Sequence, residues 1–142
     1  MDTQNITFPL DRSAVVSMLQ SFKISPTRQG VEIAQFLFEK PQHLSAETIL
    51  DGVTSAGNRV SRATVYNTMG LFASKGVVRE VLIDRERVFY DSTTRTHQHL
   101  YNVDTGELTD IYDADIEMIA QPDVPEGLRL VDKDIVFKVR AA

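Results

Sequence analysis

At 142 residues with 42% hydrophobic content, the chain holds one domain or two very small ones and is excluded from the largely disordered class. The absence of cysteine excludes disulfides, iron–sulfur clusters and thiolate zinc sites. No apolar run approaches the ~20 residues needed to span a bilayer, and the start MDTQNITFPLDR lacks the pattern of a secretory signal, so a cytoplasmic protein with no membrane partner is expected.

The net charge of −5 counts weakly against nucleic acid, but it is unevenly spread. Residues 1 to 90 carry ten Lys or Arg against nine Asp or Glu, a net of +1, and residues 91 to 142 carry five against eleven, a net of −6. The acidity belongs to the last third, which leaves a nucleic-acid-binding first part open.

In chain order, PLDRSAVVSMLQSF has Leu10, Val15, Met18, Leu19 and Phe22 close to helical spacing. SPTRQGVEIAQFLFEK offers Ser25 as N-cap, Pro26 at the first helical position and an inward face of Val31, Ala34, Leu37 and Phe38. LSAETILDGVTSAG reads as a third helix capped by Ser45 and stopped near Gly57. SRATVYNTMGLFASKG reads as a fourth, with Ser61 as cap and Gly76 as terminator. It has an apolar side of Val65, Thr68, Met69 and Phe72 and a small or polar side of Ala63, Tyr66, Asn67, Gly70 and Ser74. Such a side suits close approach to a partner, although an ordinary solvated face has the same composition. VVREVLI and RVFYDS around DRE read as a hairpin. Helices followed by a hairpin give the order of a winged helix-turn-helix, whose last helix enters the DNA major groove. Arg28, Arg59, Arg62 and Lys75 are candidate phosphate contacts.

Downstream, HLYNV and GELTDIY read as strands around a DTG turn, DADIEMIAQ as a short helix ended by Pro122, and EGLRLVDKDIVFKVR as a final strand. A unit this small gains by pairing with a second copy. On a strand, His97 and His99 share a face with Cα atoms ~6.6 Å apart. Asp91 lies six residues before His97, Asp110 lies across the turn, and His43 precedes the third helix. Taken singly these are ordinary loop or surface residues. Together they exhaust the histidines and form a sulfur-free, hard-to-borderline ligand set for Fe(II), Mn(II), Co(II) or Zn(II), fitting tetrahedral structural zinc poorly.

The blocks PTRQGVEIAQFL, HLSAETI, VSRATVYNTMGLFASKGVVRE, VFYDS and HQH followed eleven residues later by Asp110 resemble the ferric uptake regulator family of bacterial metal-dependent repressors, from about residue 20 to 140. The resemblance implies an α+β fold: an N-terminal winged helix-turn-helix over 1–91 and a small α/β dimerisation domain over 92–142, with the metal-sensing site at the hinge. It implies a regulatory site of His43, Asp91, His97, His99 and Asp110 holding one divalent metal per subunit, Fe(II) or Mn(II), with Zn(II) also accepted by purified protein. It implies a homodimer on double-stranded DNA, an A/T-rich inverted repeat, contacted through residues 61 to 75. Thr64 and Tyr66 match the family there, Arg28 matches a phosphate-facing arginine, and Asn67 stands where arginine is common. Arg62, beside them, is a further DNA candidate from its charge.

Within the family, the Asp91 position is glutamate in the iron-sensing branch and aspartate in the peroxide-sensing branch, where Fe(II)-dependent oxidation of a ligand histidine lifts repression. Most members carry a structural zinc on two C-x-x-C motifs. Asn102 and Thr105 occupy the first pair here, so no structural four-cysteine zinc site is expected. The haem-responsive iron response regulators also lack those cysteines and are the alternative, although their cysteine–proline haem motif is absent. Two other readings are a non-haem iron enzyme with a two-histidine, one-carboxylate site and a DNA-binding protein with no metal response. The first meets the objection that the last fifty or so residues are too few for a substrate pocket. An enzyme is not expected.

Overall fold

A computed structural model describes residues 6–94, 97–112, 115–116 and 122–142. The chain divides into two units, Met1–Arg95 and Thr96–Ala142. In the first, α1 (Arg12–Ser21), α2 (Arg28–Leu37), α3 (Ala46–Ser55) and α4 (Arg62–Lys75) accompany a sheet of β1 (His43–Leu44), β2 (Arg79–Leu82) and β3 (Val88–Asp91) in the order β1-β3-β2. In the second, β4 (Gln98–Asn102), β5 (Leu108–Ile111) and β6 (Val136–Val139) lie in the order β5-β4-β6. This is the α+β arrangement of a winged helix followed by a small sheet unit.

Each helix begins where a short side chain satisfies an otherwise unpaired amide. Asp11 accepts from Ala14 N at 2.8 Å, Ser45 from Thr48 N at 3.2 Å and Ser61 from Thr64 N at 3.1 Å. The start of α2 differs from the expected Ser25 cap and Pro26 first turn: Thr27 is the N-cap, and its Oγ1 accepts from Gly30 N at 3.0 Å. Three consecutive residues, Ser25, Pro26 and Thr27, all suit a helix start, and the bond to Gly30 decides among them. Gly76 ends α4 at φ 81°, the left-handed conformation that closes a helix without a Cβ penalty.

The core of the first unit fills the space between α1 to α4 and the sheet. Val15, Met18, Leu19, Ile33, Leu37, Phe38, Ile49, Met69 and Phe72 are almost completely buried. The predicted sides of α4 are largely observed: Val65, Met69 and Phe72 are buried and Thr68 half-buried, while Ala63, Tyr66, Asn67, Gly70 and Ser74 are exposed. α3 approaches α2 at Gly52, where a Cβ would sit 2.1 Å from Cζ of Phe36.

The hairpin of β2 and β3 turns on Asp84, whose Oδ1 accepts from the amides of Glu86 and Arg87 at 2.9 and 3.0 Å. The Arg87 side chain, then the Glu86 amide, holds the Asp84 carboxyl below its usual range. In the second unit β4 and β5 pair antiparallel, and β6 adds parallel to β4. The final strand expected over 126–140 is four residues long, because Asp132, Lys133 and Asp134 break the apolar alternation before it. The helix expected over 113–121 lies outside the described residues except for Asp115 and Ile116, which are helical.

Candidate metal centre and nucleic-acid interface

His43 sits on β1, a two-residue strand paired with the end of β3 so that His43 is directly opposite Asp91. Its Nε2 lies 3.4 Å from Asp91 Oδ2, with the side chains 13% and 1% exposed. The other Asp91 oxygen accepts from Thr93 N at 2.8 Å. The neighbouring residues hold this pair in place. Gln42 donates its backbone N–H to Ser92 Oγ and accepts from Ser92 N at its carbonyl, both at 3.1 Å. The Gln42 side-chain amide donates to the carbonyls of Phe36 and Leu37, at 2.9 and 3.1 Å, so it satisfies the C-terminal end of α2.

In the second unit His99 is directly opposite Asp110. Asp110 Oδ1 is 3.1 Å from His97 Nε2 and 3.6 Å from His99 Nε2. Both imidazoles are almost fully buried, and Asp110 is 23% exposed. The two rings lie edge to face with centroids 4.5 Å apart. Tyr112 packs on His97 at 5.3 Å and donates from its hydroxyl to Asp110 Oδ2 at 3.5 Å. One donor atom from each of His97, His99 and Asp110 falls within 4.8 Å of the others. Imidazole and carboxylate removed from water need compensating partners, and this set can accept a proton or a cation. His99 lies on β4 across from Asp110, whereas His97, expected on the same strand, immediately precedes it, so only its ring and not its backbone belongs with the β4–β5 pair.

Asn102 and Thr105 organise the β4–β5 turn through their own side chains. Asn102 Oδ1 accepts from the amides of Asp104 and Thr105 at 2.9 and 3.2 Å, and Thr105 Oγ1 accepts from Glu107 N at 3.2 Å. The turn is therefore closed by its own hydrogen bonds.

The residues expected at DNA are placed as follows. Arg28 opens α2, 64% exposed, with Glu32 at 3.7 Å. Arg62, Thr64, Tyr66 and Asn67 lie in the first turns of α4. Arg62, Tyr66 and Asn67 are exposed, and Thr64 is half-buried with its hydroxyl bonded to Ser61 at 2.9 Å. Arg59 and Lys75 are exposed as well. One contact on this surface has no counterpart in the sequence pattern: Glu47 of α3 reaches α4 and accepts from both Arg62 and Tyr66. An isolated glutamate on a short helix carries no periodic signal that would have marked it. Nearby on β3, burial, then Glu80 and Tyr66, pushes the Tyr90 phenol above its usual pKa.

The chain resembles known proteins over most of its length. It is 36% identical over 127 residues to the ferric uptake regulation protein of Pseudomonas aeruginosa, covering 87% of this chain and 95% of that one. It is 23% identical over 120 residues to the peroxide-responsive repressor PerR of Staphylococcus epidermidis, covering 84% and 79%. The fold superposes with a TM-score of 0.72 on the ferric uptake regulator of P. aeruginosa solved with manganese, at 34% identity and 88% and 96% coverage. Residues 20–138 match the Ferric uptake regulator family, and with this coverage and identity the chain belongs to that family.

Proposed function

We propose that the chain is a metal-responsive transcriptional regulator, a repressor of genes for iron or manganese homeostasis or peroxide defence. The observation that carries this reading is that every histidine of the chain lies beside a carboxylate and largely away from solvent: His43 with Asp91, and His97 and His99 with Asp110. Three imidazoles and two carboxylates without sulfur suit Fe(II) or Mn(II), one ion per subunit. When bound, a divalent ion would supply the positive charge that compensates both carboxylates and would tie donors before residue 95 to donors after residue 96. The protein contributes the positioning: β1 and Ser92 orient His43 and Asp91, and the β4–β5 register aligns His99 with Asp110.

In this reading α4 presents Arg62, Thr64, Tyr66 and Asn67 to the major groove, and Arg28 meets a phosphate. A homodimer brings two such helices to the half-sites of an A/T-rich inverted repeat. Metal favours the arrangement in which both fit, which makes it an effector of DNA affinity. Asp91 leans toward peroxide sensing, whereas identity runs higher to the ferric uptake regulation protein of P. aeruginosa than to the PerR protein, 36% against 23%.

Fluorescence anisotropy of a labelled inverted-repeat duplex, titrated with apo and Mn(II)-loaded protein, tests the proposal. Binding that requires Mn(II) supports it. Equal binding by both forms removes the metal response, and His97→Ala with unchanged metal dependence removes the site.

A further inference from the structure

Glu47 stands in the first turn of α3 and Arg62 and Tyr66 stand one turn apart on α4, so the latter two share a face. A single oxygen, Glu47 Oε1, accepts from both the Arg62 guanidinium and the Tyr66 hydroxyl, the latter at 3.1 Å. The Arg62 and Glu47 side chains are 62% and 48% exposed, and pairs this open to water add little to stability. Their consequence lies in what the two α4 side chains are left able to do. We propose that Glu47 is a specificity-determining residue of the DNA-facing surface, neutralising Arg62 and aiming Tyr66. This rests on the DNA-binding reading above.

The physical basis is a division of labour. A free arginine at this position adds affinity for any duplex, because phosphate contacts are blind to sequence. Engaged by Glu47, Arg62 gives up part of that indiscriminate attraction. Tyr66, restrained through its hydroxyl, presents the ring in one orientation and loses less freedom on docking. The carboxylate also repels the backbone whenever α4 sits out of register, which penalises wrong sites more than the right one. Glu47 also lies in the first turn of α3, where a negative charge favours the helix. That role alone alters melting but has no effect on DNA selectivity.

Two variants separate charge from orientation. Glu47→Gln removes the charge and keeps an oxygen that can accept from Tyr66, whereas Glu47→Ala removes both. With Mn(II)-loaded protein, operator and random duplexes of equal length are titrated across a range of salt concentrations, and thermal melting is followed in parallel. For Glu47→Gln the slope of log affinity against log salt should steepen by about one, the value for one added phosphate contact, with tighter binding to both duplexes. For Glu47→Ala the slope should steepen likewise, and the operator-to-random ratio should fall at least about fivefold, the scale of one lost base contact. Tyr66→Phe should lower the ratio by a similar factor, and combining it with Glu47→Ala should add little. Unchanged slopes in both Glu47 variants, or an intact ratio in Glu47→Ala, overturn the proposal while the parent still prefers its operator. A parent protein that binds neither duplex overturns the DNA-binding reading and this inference with it.

Discussion

The two units differ in what occupies their interiors. Among the described residues, twenty buried apolar side chains lie before residue 95 and only two, Tyr101 and Leu108, lie after it. The second unit instead buries His97, Gln98 and His99, and it exposes Tyr112, Leu128, Leu130, Val131, Phe137 and Val139. Apolar burial is the main favourable term in folding. Among the described residues the first unit therefore has by far the larger apolar core, and the second would gain more from whatever its imidazoles and open apolar side chains meet. A metal ion and a second copy of the chain, both part of the proposed function, are what those two sets would meet.

The contrast can be broken from either side. Phe38→Ala, at a fully buried side chain of the first unit's core, should lower unfolding free energy by about 3–5 kcal/mol in denaturant titration. Leu130→Ala, at a 43% exposed side chain of the second unit, should cost far less within a single chain, and a similarly large loss would place Leu130 in the interface of the proposed homodimer. Next in size, Mn(II) at about a hundredfold its dissociation constant should stabilise the protein by ~2.7 kcal/mol. Calorimetry should show this gain disappearing in His97→Ala.

How far the sequence alone discloses this division depends on how local each determinant is. Ser45, Ser61 and Gly76 announce helix ends because each acts within four residues. The β4–β5 pairing is equally legible, since a DTG turn sets the register that puts His99 opposite Asp110. β1 is not, because two residues establish no period and its partner, Asp91, lies far downstream. His43 therefore reads as a loop residue until the sheet is seen. Glu47 is hidden for a related reason: its partners are on another helix, and neither charge nor spacing within α3 points to them. The ambiguous start of α2 and the overlong final strand share a cause, since composition permits several boundaries and one hydrogen bond or one charged run selects among them.

Smaller effects sharpen the account of the first unit. Gly76→Ala should cost about 1 kcal/mol in thermal melting, because alanine at φ 81° is strained. Smallest is a pH effect at Tyr90. Its folded pKa is raised above the usual 10.0 by burial first, then by Glu80 and Tyr66. Its contribution is therefore fully present below that usual value and is lost as pH rises through the raised one. Tyr90→Phe should flatten the alkaline limb of the melting temperature against pH, and an unchanged limb would assign the loss to other groups.

Gln42 has a consequence for the kinetics of local opening. Its side chain closes the end of α2 while its own amide and carbonyl are both bonded to Ser92. Fraying of the last turn of α2 and separation of the β1 edge are thus one event rather than two. The amides of Phe38 and Ser92, which bond to Ala34 and Gln42, should exchange with deuterium at matched rates. Gln42→Ala should uncouple them, leaving the helix end to open without disturbing the strand that carries His43.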